Sequence, residues 1–276
     1  MKFSIITPSF RNSAWLKLCV ASVADQGVAL EHLVQDAGSD DGTLDWMPRD
    51  PRVTAFVEKD AGMYDAINRG LRRATGDVLA YLNCDEQYLP GALAAVEEFF
   101  RAHPEVEMVF GDAVIVNAEG DYLFHRKMLR PLLWHTWTSQ LSTLTCGTFF
   151  RSSVLKRPGA FFDLNWRYIS DADWMRRLIQ ERVPMAVLGQ FTSVFTHTGR
   201  NASTDERTLA ELNAFRATAP APARALRPLV VAHHRARRLL GGAYSQGPFD
   251  FSLFTRAQPE RRVVRHVAQP TSRWRW

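Results

Sequence analysis

The sequence predicts an α/β fold: a mostly parallel sheet flanked by helices, with a small β-hairpin subregion and a basic C-terminal extension. Three observations point there. Short β-rich runs alternate with helical patterns through residue 111, the order that builds βαβ units. Polar and acidic clusters follow these runs, where open parallel sheets bind ligands. Charge is also uneven. The chain is net +5, yet residues from Ala221 onward carry eleven arginines, no lysine and only Asp250 and Glu260 as acids. The basic character therefore belongs to the tail, and the first 220 residues are net acidic.

Each element has its own signal. Residues 3–7 form an apolar first strand that ends at Pro8. Asn12 or Ser13 caps a helix to about residue 25, with Leu16, Val20 and Val23 on one face. Residues 30–35 are a second strand and residues 53–58 a third. Residues 63–74 are a helix closed by Thr75-Gly76. Residues 78–82 are a fully apolar fourth strand. Residues 90–103 are a helix with its proline where a missing N–H costs least, and residues 107–111 are a fifth strand. Val114–Val116 and Tyr122–His125, joined by Asn117-Ala-Glu-Gly-Asp121, predict a hairpin. Short strands at 147–150, 185–188 and 191–195 and a helix at 171–182 complete the domain, set at residues 1–216. The Ala/Pro-rich stretch 217–228 reads as a linker to the Arg-rich extension, which ends at residue 276.

Composition narrows the function. With 276 residues and 46% hydrophobic content, a sizeable core is expected. Cys19, Cys84 and Cys146 are odd in number and far apart, so neither a disulfide framework nor a CxxC metal site is suggested. A reducing, cytosolic compartment fits. The N-terminal apolar run is too short for a signal peptide, and no run approaches a membrane span. No Gly-rich phosphate loop or GxGxxG follows the first strand, which argues against nucleotidyltransferases and dinucleotide dehydrogenases. Nucleic-acid binding has only the tail in its favour, with no recognisable module, and is not expected.

Four clusters could carry chemistry. Asp36-Ala-Gly-Ser-Asp-Asp-Gly-Thr43 places a carboxylate at a strand end beside two glycines, open enough for a base or ribose; the same residues suit a turn. Asn83-Cys-Asp-Glu86 follows the apolar strand, and Asp85 and Glu86 are oxygen ligands suited to a hard divalent cation. In Arg167-Tyr-Ile-Ser-Asp-Ala-Asp-Trp174, Ser170 and Asp173 have capping-box spacing. That leaves Asp171 to face a cleft or simply to favour the helix dipole. His197-Thr-Gly-Arg200 offers a histidine for a metal or phosphate and an arginine for a diphosphate.

In combination these stretches resemble the family 2 glycosyltransferases, inverting enzymes of the GT-A fold. The likeness is carried by Ser4-Ile-Ile-Thr-Pro-Ser-Phe-Arg-Asn12, the Asp36–Thr43 run, Glu58-Lys-Asp-Ala-Gly-Met-Tyr-Asp-Ala-Ile-Asn-Arg-Gly70, Tyr81-Leu-Asn-Cys-Asp-Glu86, Gly147-Thr-Phe-Phe-Arg151 and Ile169-Ser-Asp-Ala-Asp-Trp174. It covers about residues 1–200 and is most similar to bacterial members that build surface polysaccharides. The resemblance implies that Thr7, Pro8, Asp36, Asp60, Asn83 and Asp85 bind the nucleotide sugar, with UDP the default nucleotide. It implies that Asp85 binds Mn²⁺ or Mg²⁺ and that Asp171 is the catalytic base; Glu86 and His197 are further metal candidates. The acceptor would be a glycan or lipid-linked hydroxyl. There are departures. Asn83 stands where the family often has the first Asp of Asp-x-Asp, Thr145-Cys146 where many members have His, and Gly199-Arg200 where a Gly-Gly pair is usual. The incomplete acidic motif leaves one rival, a nucleotide-sugar-binding or scaffold protein without catalysis. The tail suggests a second partner: residues 226–240 mix aliphatic residues with arginines, as a helix on the anionic inner face of a membrane would.

Overall fold

The structure is a computed structural model, and it describes residues 1–199 and 206–273. The first strands and helices alternate: β1 (Phe3–Ser9), α1 (Ser13–Ala24), β2 (Leu30–Asp36), α2 (Thr43–Trp46), β3 (Thr54–Val57), α3 (Met63–Arg73) and β4 (Val78–Tyr81). Then follow β5 (Glu86–Tyr88), α4 (Ala92–Ala102), β6 (Met108–Asn117), β7 (Tyr122–Arg126), α5 (Leu133–Thr138), β8 (Thr148–Arg151), α6 (Ser170–Gln180) and β9 (Met185–His197). The C-terminal part holds α7 (Glu206–Ala217), α8 (Ala221–Ala225), α9 (Arg227–Leu240), β10 (Phe249–Thr255) and β11 (Gln258–Val267).

Among the described residues, nine strands form one sheet in the order β3-β2-β1-β4-β8-β6-β9-β5, with β7 added to β6. The half that carries the first motifs is parallel throughout, with Ser9 opposite Asp36 and Asp36 opposite Val57. Because the strands run together, the loops after β1, β2, β3 and β4 emerge at one edge. Beyond β4 the pairing alternates: β8 is antiparallel to β4 and β6, whereas β6 and β9 are parallel. The α/β class with its hairpin holds. The hairpin is β6–β7, turned by Asn117, whose side-chain oxygen accepts from the N–H groups of Glu119 and Asp121.

Close packing fixes the layers. β1 and β4 are buried along their whole lengths, as a strand covered on both faces must be. Gly70 lets α3 settle onto β1, since a Cβ there would run into the Ile6 side chain. The two late strands expected at 185–188 and 191–195 are one strand, β9. It runs past Gly189, which has φ +71°, and shifts register against β6 around Gly111 and Asp112. The stretch expected as a linker, 217–228, is helical: it makes α8 and the start of α9. Pro222 and Pro228 fall in the first turns, where proline is tolerated.

Candidate functional site

The strand-end loops are tied to one another before any ligand arrives. Asp41 caps α1 from a distance, its Oδ2 accepting from Ser13 N at 2.9 Å. Asn12 stands at the N-cap position but donates its amide to Cys84 Sγ at 3.0 Å. Arg11 N donates to Ser39 Oγ and its guanidinium pairs with Asp40 at 2.7 Å. The loops after β1, β2 and β4 thus form one connected rim.

Behind that rim lies a cavity of about 1140 Å³, large enough for an extended two-part ligand. Pro8, Asp60, Asn83, Asp85, Glu86 and Asp171 all line it. The structure therefore brings together residues that are as far as 163 positions apart in sequence. Thr7 and Asp36 lie outside the lining. Thr7 is buried with its hydroxyl against His32 Nε2 (2.8 Å) and Cys19 Sγ (3.7 Å). Asp36 is buried, its two oxygens accepting from Gly38 N, Ser39 N and Ser39 Oγ at 2.7–2.9 Å. It shapes the loop that supplies Ala37 to the cavity wall. His197, at the end of β9, is also outside the lining. Arg200 lies outside the described residues.

The carboxylates are electrostatically primed. Burial raises the proton affinity of Asp60, with neighbouring Asp65 and Asp36 adding to the effect. Burial also raises those of Asp85 and Asp171. Glu86, 1% exposed in strand β5, is pushed up to about 8 by burial and then by the charge of Asp85. Its Oε2 accepts from Asn83 N at 2.9 Å, while its Oε1 has no protein partner. Ser9 Oγ and Asn83 Oδ1 are likewise buried without a partner, and both residues line the cavity. Buried polar atoms left open in this way are normally completed by solvent or ligand.

Asp171 sits in the first turn of α6, but not through a capping box. Ser170 begins the helix and donates to Asp163 O (2.8 Å), and the N-cap is Ile169. Asp173 pairs with Arg176 and Arg177 at 2.7 and 2.8 Å, a structural role on the far side of the helix. The ionised form of Asp171 is favoured by the Ala172 N–H, which donates to its Oδ1 at 2.9 Å, and after that by the nearby Tyr64 hydroxyl, which also lies 3.3 Å from Tyr168 O. Tyr64 belongs to the motif that runs from Glu58 to Gly70, but nothing in the sequence alone gives it a role, and no local pattern points to Arg126. It reaches the cavity from the hairpin strand β7 and is 5% exposed, with burial and then Arg238 lowering its proton affinity to about 10.

Among the described residues, no three His, Cys, Asp or Glu side chains are close enough to hold a metal by themselves. Asp60, Asp85, Glu86 and Asp171 all line the cavity, but no three of them come together. That suits a cation shared between one carboxylate and a ligand's phosphates, the usual arrangement for Mg²⁺. Asp85 fits that part.

The family model for glycosyl transferase family 2 matches residues 4–157. The chain belongs to that family. It is 31% identical over 183 residues to a PGL/p-HBAD biosynthesis glycosyltransferase of Mycobacterium bovis, a match covering 62% of this chain and 66% of that relative. The chain thus spans just under two thirds of that relative's length. Among solved structures, S. aureus TarS 1–349 in complex with UDP-GlcNAc superposes with a TM-score of 0.61 at 16% identity, covering 87% of this chain and 73% of that one. The mannosyltransferase PcManGT from Pyrobaculum calidifontis, in complex with GDP-Man and Mn²⁺, gives 0.53 at 18%, covering 86% and 80%. At such identities the likeness speaks for the fold, the GT-A type of this family.

Proposed function

We propose that this family member is an inverting glycosyltransferase. It would move a sugar from a nucleotide-sugar donor, by preference a UDP-sugar, to a hydroxyl of a glycan or lipid-linked acceptor in the building of bacterial surface polysaccharide. The observation that carries the reading is the shared cavity, which has Asp85 at the end of the parallel strands and Asp171 on α6 in its walls.

The chemistry follows from those two positions. The donor's nucleotide lies along the rim from Pro8 to Asp60, and its diphosphate reaches Asp85. A divalent cation, Mn²⁺ or Mg²⁺, held by Asp85 would neutralise charge on the leaving diphosphate. Asp171 accepts the proton of the acceptor hydroxyl as that oxygen attacks the anomeric carbon. The new carbon–oxygen bond forms as the bond to the diphosphate breaks, and the nucleoside diphosphate leaves. One displacement from the opposite face inverts the centre. The raised proton affinity of Asp171 suits a base that must take a proton, and the Ala172 N–H, with the Tyr64 hydroxyl after it, limits the rise so that the carboxylate stays available.

A thermal-shift screen of UDP-, GDP- and dTDP-sugars with Mn²⁺ tests the donor half, since a ligand that binds only the folded chain raises its melting point. A UDP-sugar should stabilise the protein, and Asp85→Ala should weaken that binding by roughly tenfold or more and flatten its response to Mn²⁺. Unchanged donor titration in that variant would remove Asp85 from the site. Donor binding without transfer to any acceptor would favour a non-catalytic sugar-nucleotide binder.

A further inference from the structure

The last long helix, α9, wears its polarity inside out. At 3.6 residues per turn, Leu226, Leu229, His233, Ala236 and Leu240 fall on one stripe running from the N-cap to the last turn. All five are exposed, Leu229 at 67% and Leu240 at 86%, and Leu239 beside them is 70% exposed. The side that packs on the protein instead buries His234 and Arg238. A helix resting on a protein core normally buries its leucines and shows its charges to water. Here three turns of leucine and alanine point outward, which water alone does not favour.

Charge on either side of the stripe has one sign. No acid occurs between Glu211 and Asp250, nor between Asp121 and Asp163, the two segments that hold α9 and the helix α5 it packs on. Arg224, Arg227 and Arg235 are exposed, and among the described residues none of them pairs with a carboxylate. Trp134 of α5, 40% exposed, borders a crevice of about 330 Å³ shared with Val230 and His233 of α9. An aromatic ring, an apolar stripe and flanking arginines on one surface are what a helix lying in a lipid interface requires. A second copy of the chain would cover the leucines but bring arginine towards arginine, and neither α9 nor α5 carries an acid to offset them.

We propose that the outward face of α9, with Trp134 beside it, rests on a bilayer containing anionic lipid, the stripe entering the interface and the arginines meeting headgroup phosphates. This goes beyond the reading of the cavity and does not depend on it.

The test is sedimentation of the full chain with phosphatidylcholine vesicles, with and without phosphatidylglycerol. The chain should pellet with the anionic vesicles, and less so as salt rises. The double variant Leu229→Glu/Leu240→Glu should lose binding by roughly tenfold or more, and Arg235→Glu by roughly fivefold. All three substitutions fall on exposed positions, so both variants should melt as the parent does and keep the donor-induced thermal shift. Equal pelleting of the double variant and the parent overturns the proposal. So does a parent that stays in the supernatant, which leaves an acidic protein as the occupant of this face. So does a lipid-free dimer in sedimentation velocity that the double variant dissociates, which gives the face to a second copy. Loss of the donor shift with vesicle binding intact would count against the cavity reading and leave this one standing.

Discussion

Asp171 lies between opposed influences. Burial raises its affinity for a proton, while the Ala172 N–H, at 2.9 Å, and after it the Tyr64 hydroxyl lower it. For a catalytic base that balance is testable in two ways. Asp171→Asn keeps the shape and removes the proton acceptor, so turnover should drop by roughly 10²–10⁴ while calorimetry shows donor binding unchanged. Turnover near the parent's level would exclude it as the base. Tyr64→Phe is the finer experiment, because its ring stacks on Phe162 at a centroid distance of 5.2 Å and phenylalanine preserves that contact. The variant loses only the hydroxyl. The base works when ionised, so activity falls as pH drops through the pKa of Asp171. Without the hydroxyl that pKa rises, and the acid limb of kcat should move to higher pH. An unmoved limb would mean that the titrating group lies elsewhere.

At the scale of elements, α5 and α9 meet through two histidines. His135 and His234 stack with centroids 3.6 Å apart, and burial lowers their pKa values to about 4 and about 3, helped for His234 by His135 and for both by Arg237, Arg238 and His233. A histidine held neutral in the folded state but basic when unfolded stabilises the protein fully only above its unfolded pKa near 6.5. As pH falls below that value the unfolded chain takes up protons that the folded chain refuses. Stability is then lost at up to about 1.4 kcal/mol per pH unit for each such proton. The melting temperature should therefore fall from pH 7 to pH 5, and His135→Phe/His234→Phe should shrink that fall. His32 and His125, held down to about 3 and about 4, will keep part of the slope. A slope identical in parent and double variant would show that the pair does not titrate on unfolding. The same elements show what the sequence could reveal. Strand β4 was legible because a strand buried on both faces reads as an unbroken apolar run, Val-Leu-Ala-Tyr, whereas β1 and β2 show as shorter apolar clusters broken by polar residues such as Ser4, Glu31 and His32. Strand β5 was not legible. Its three residues, Glu-Gln-Tyr, begin with the last residue of the acidic motif, and only pairing with β9 makes a strand of them and buries Glu86. Thr7 and Asp36 sat in the right motifs, but a motif does not say which way a side chain turns. Thr7 turned to His32, and Asp36 to its own loop. Arg126 was hidden for a different reason: it reaches the cavity from the β6–β7 hairpin, through contacts that no local pattern records.

For the molecule as a whole, the question is whether the C-terminal residues ride on the domain or belong to it. The hairpin β10–β11 covers Leu89, Val114, Val116 and Val194 with Phe251, Leu253 and Val267, all buried in one cluster. Gln87 makes both its amide bonds to the backbone of Phe254, each 2.9 Å. Arg262 clamps the hairpin to Asp25 at 2.6 and 2.7 Å and donates to Tyr88 O at 3.0 Å. Beyond the hairpin, Thr271 O accepts from His125 N at 2.9 Å, which ties the chain end to the edge of β7. Most of these contacts fall on or beside β5, β6 and β9, the half of the sheet that carries Glu86, with Asp25 after α1 and His125 on β7 as further anchors. A chain ending at Gly247 would expose four aliphatic side chains and leave a buried amide unpaired, a loss of several kcal/mol taken together. For a protein of this size that amounts to a fall in melting temperature of roughly 10 °C or more. Donor binding should weaken with it, because β5 follows directly on Asp85 and is braced by Gln87. If the shortened chain melts with the parent and titrates donor normally, the hairpin is an appendage, and the strand that buries Glu86 holds its place without it.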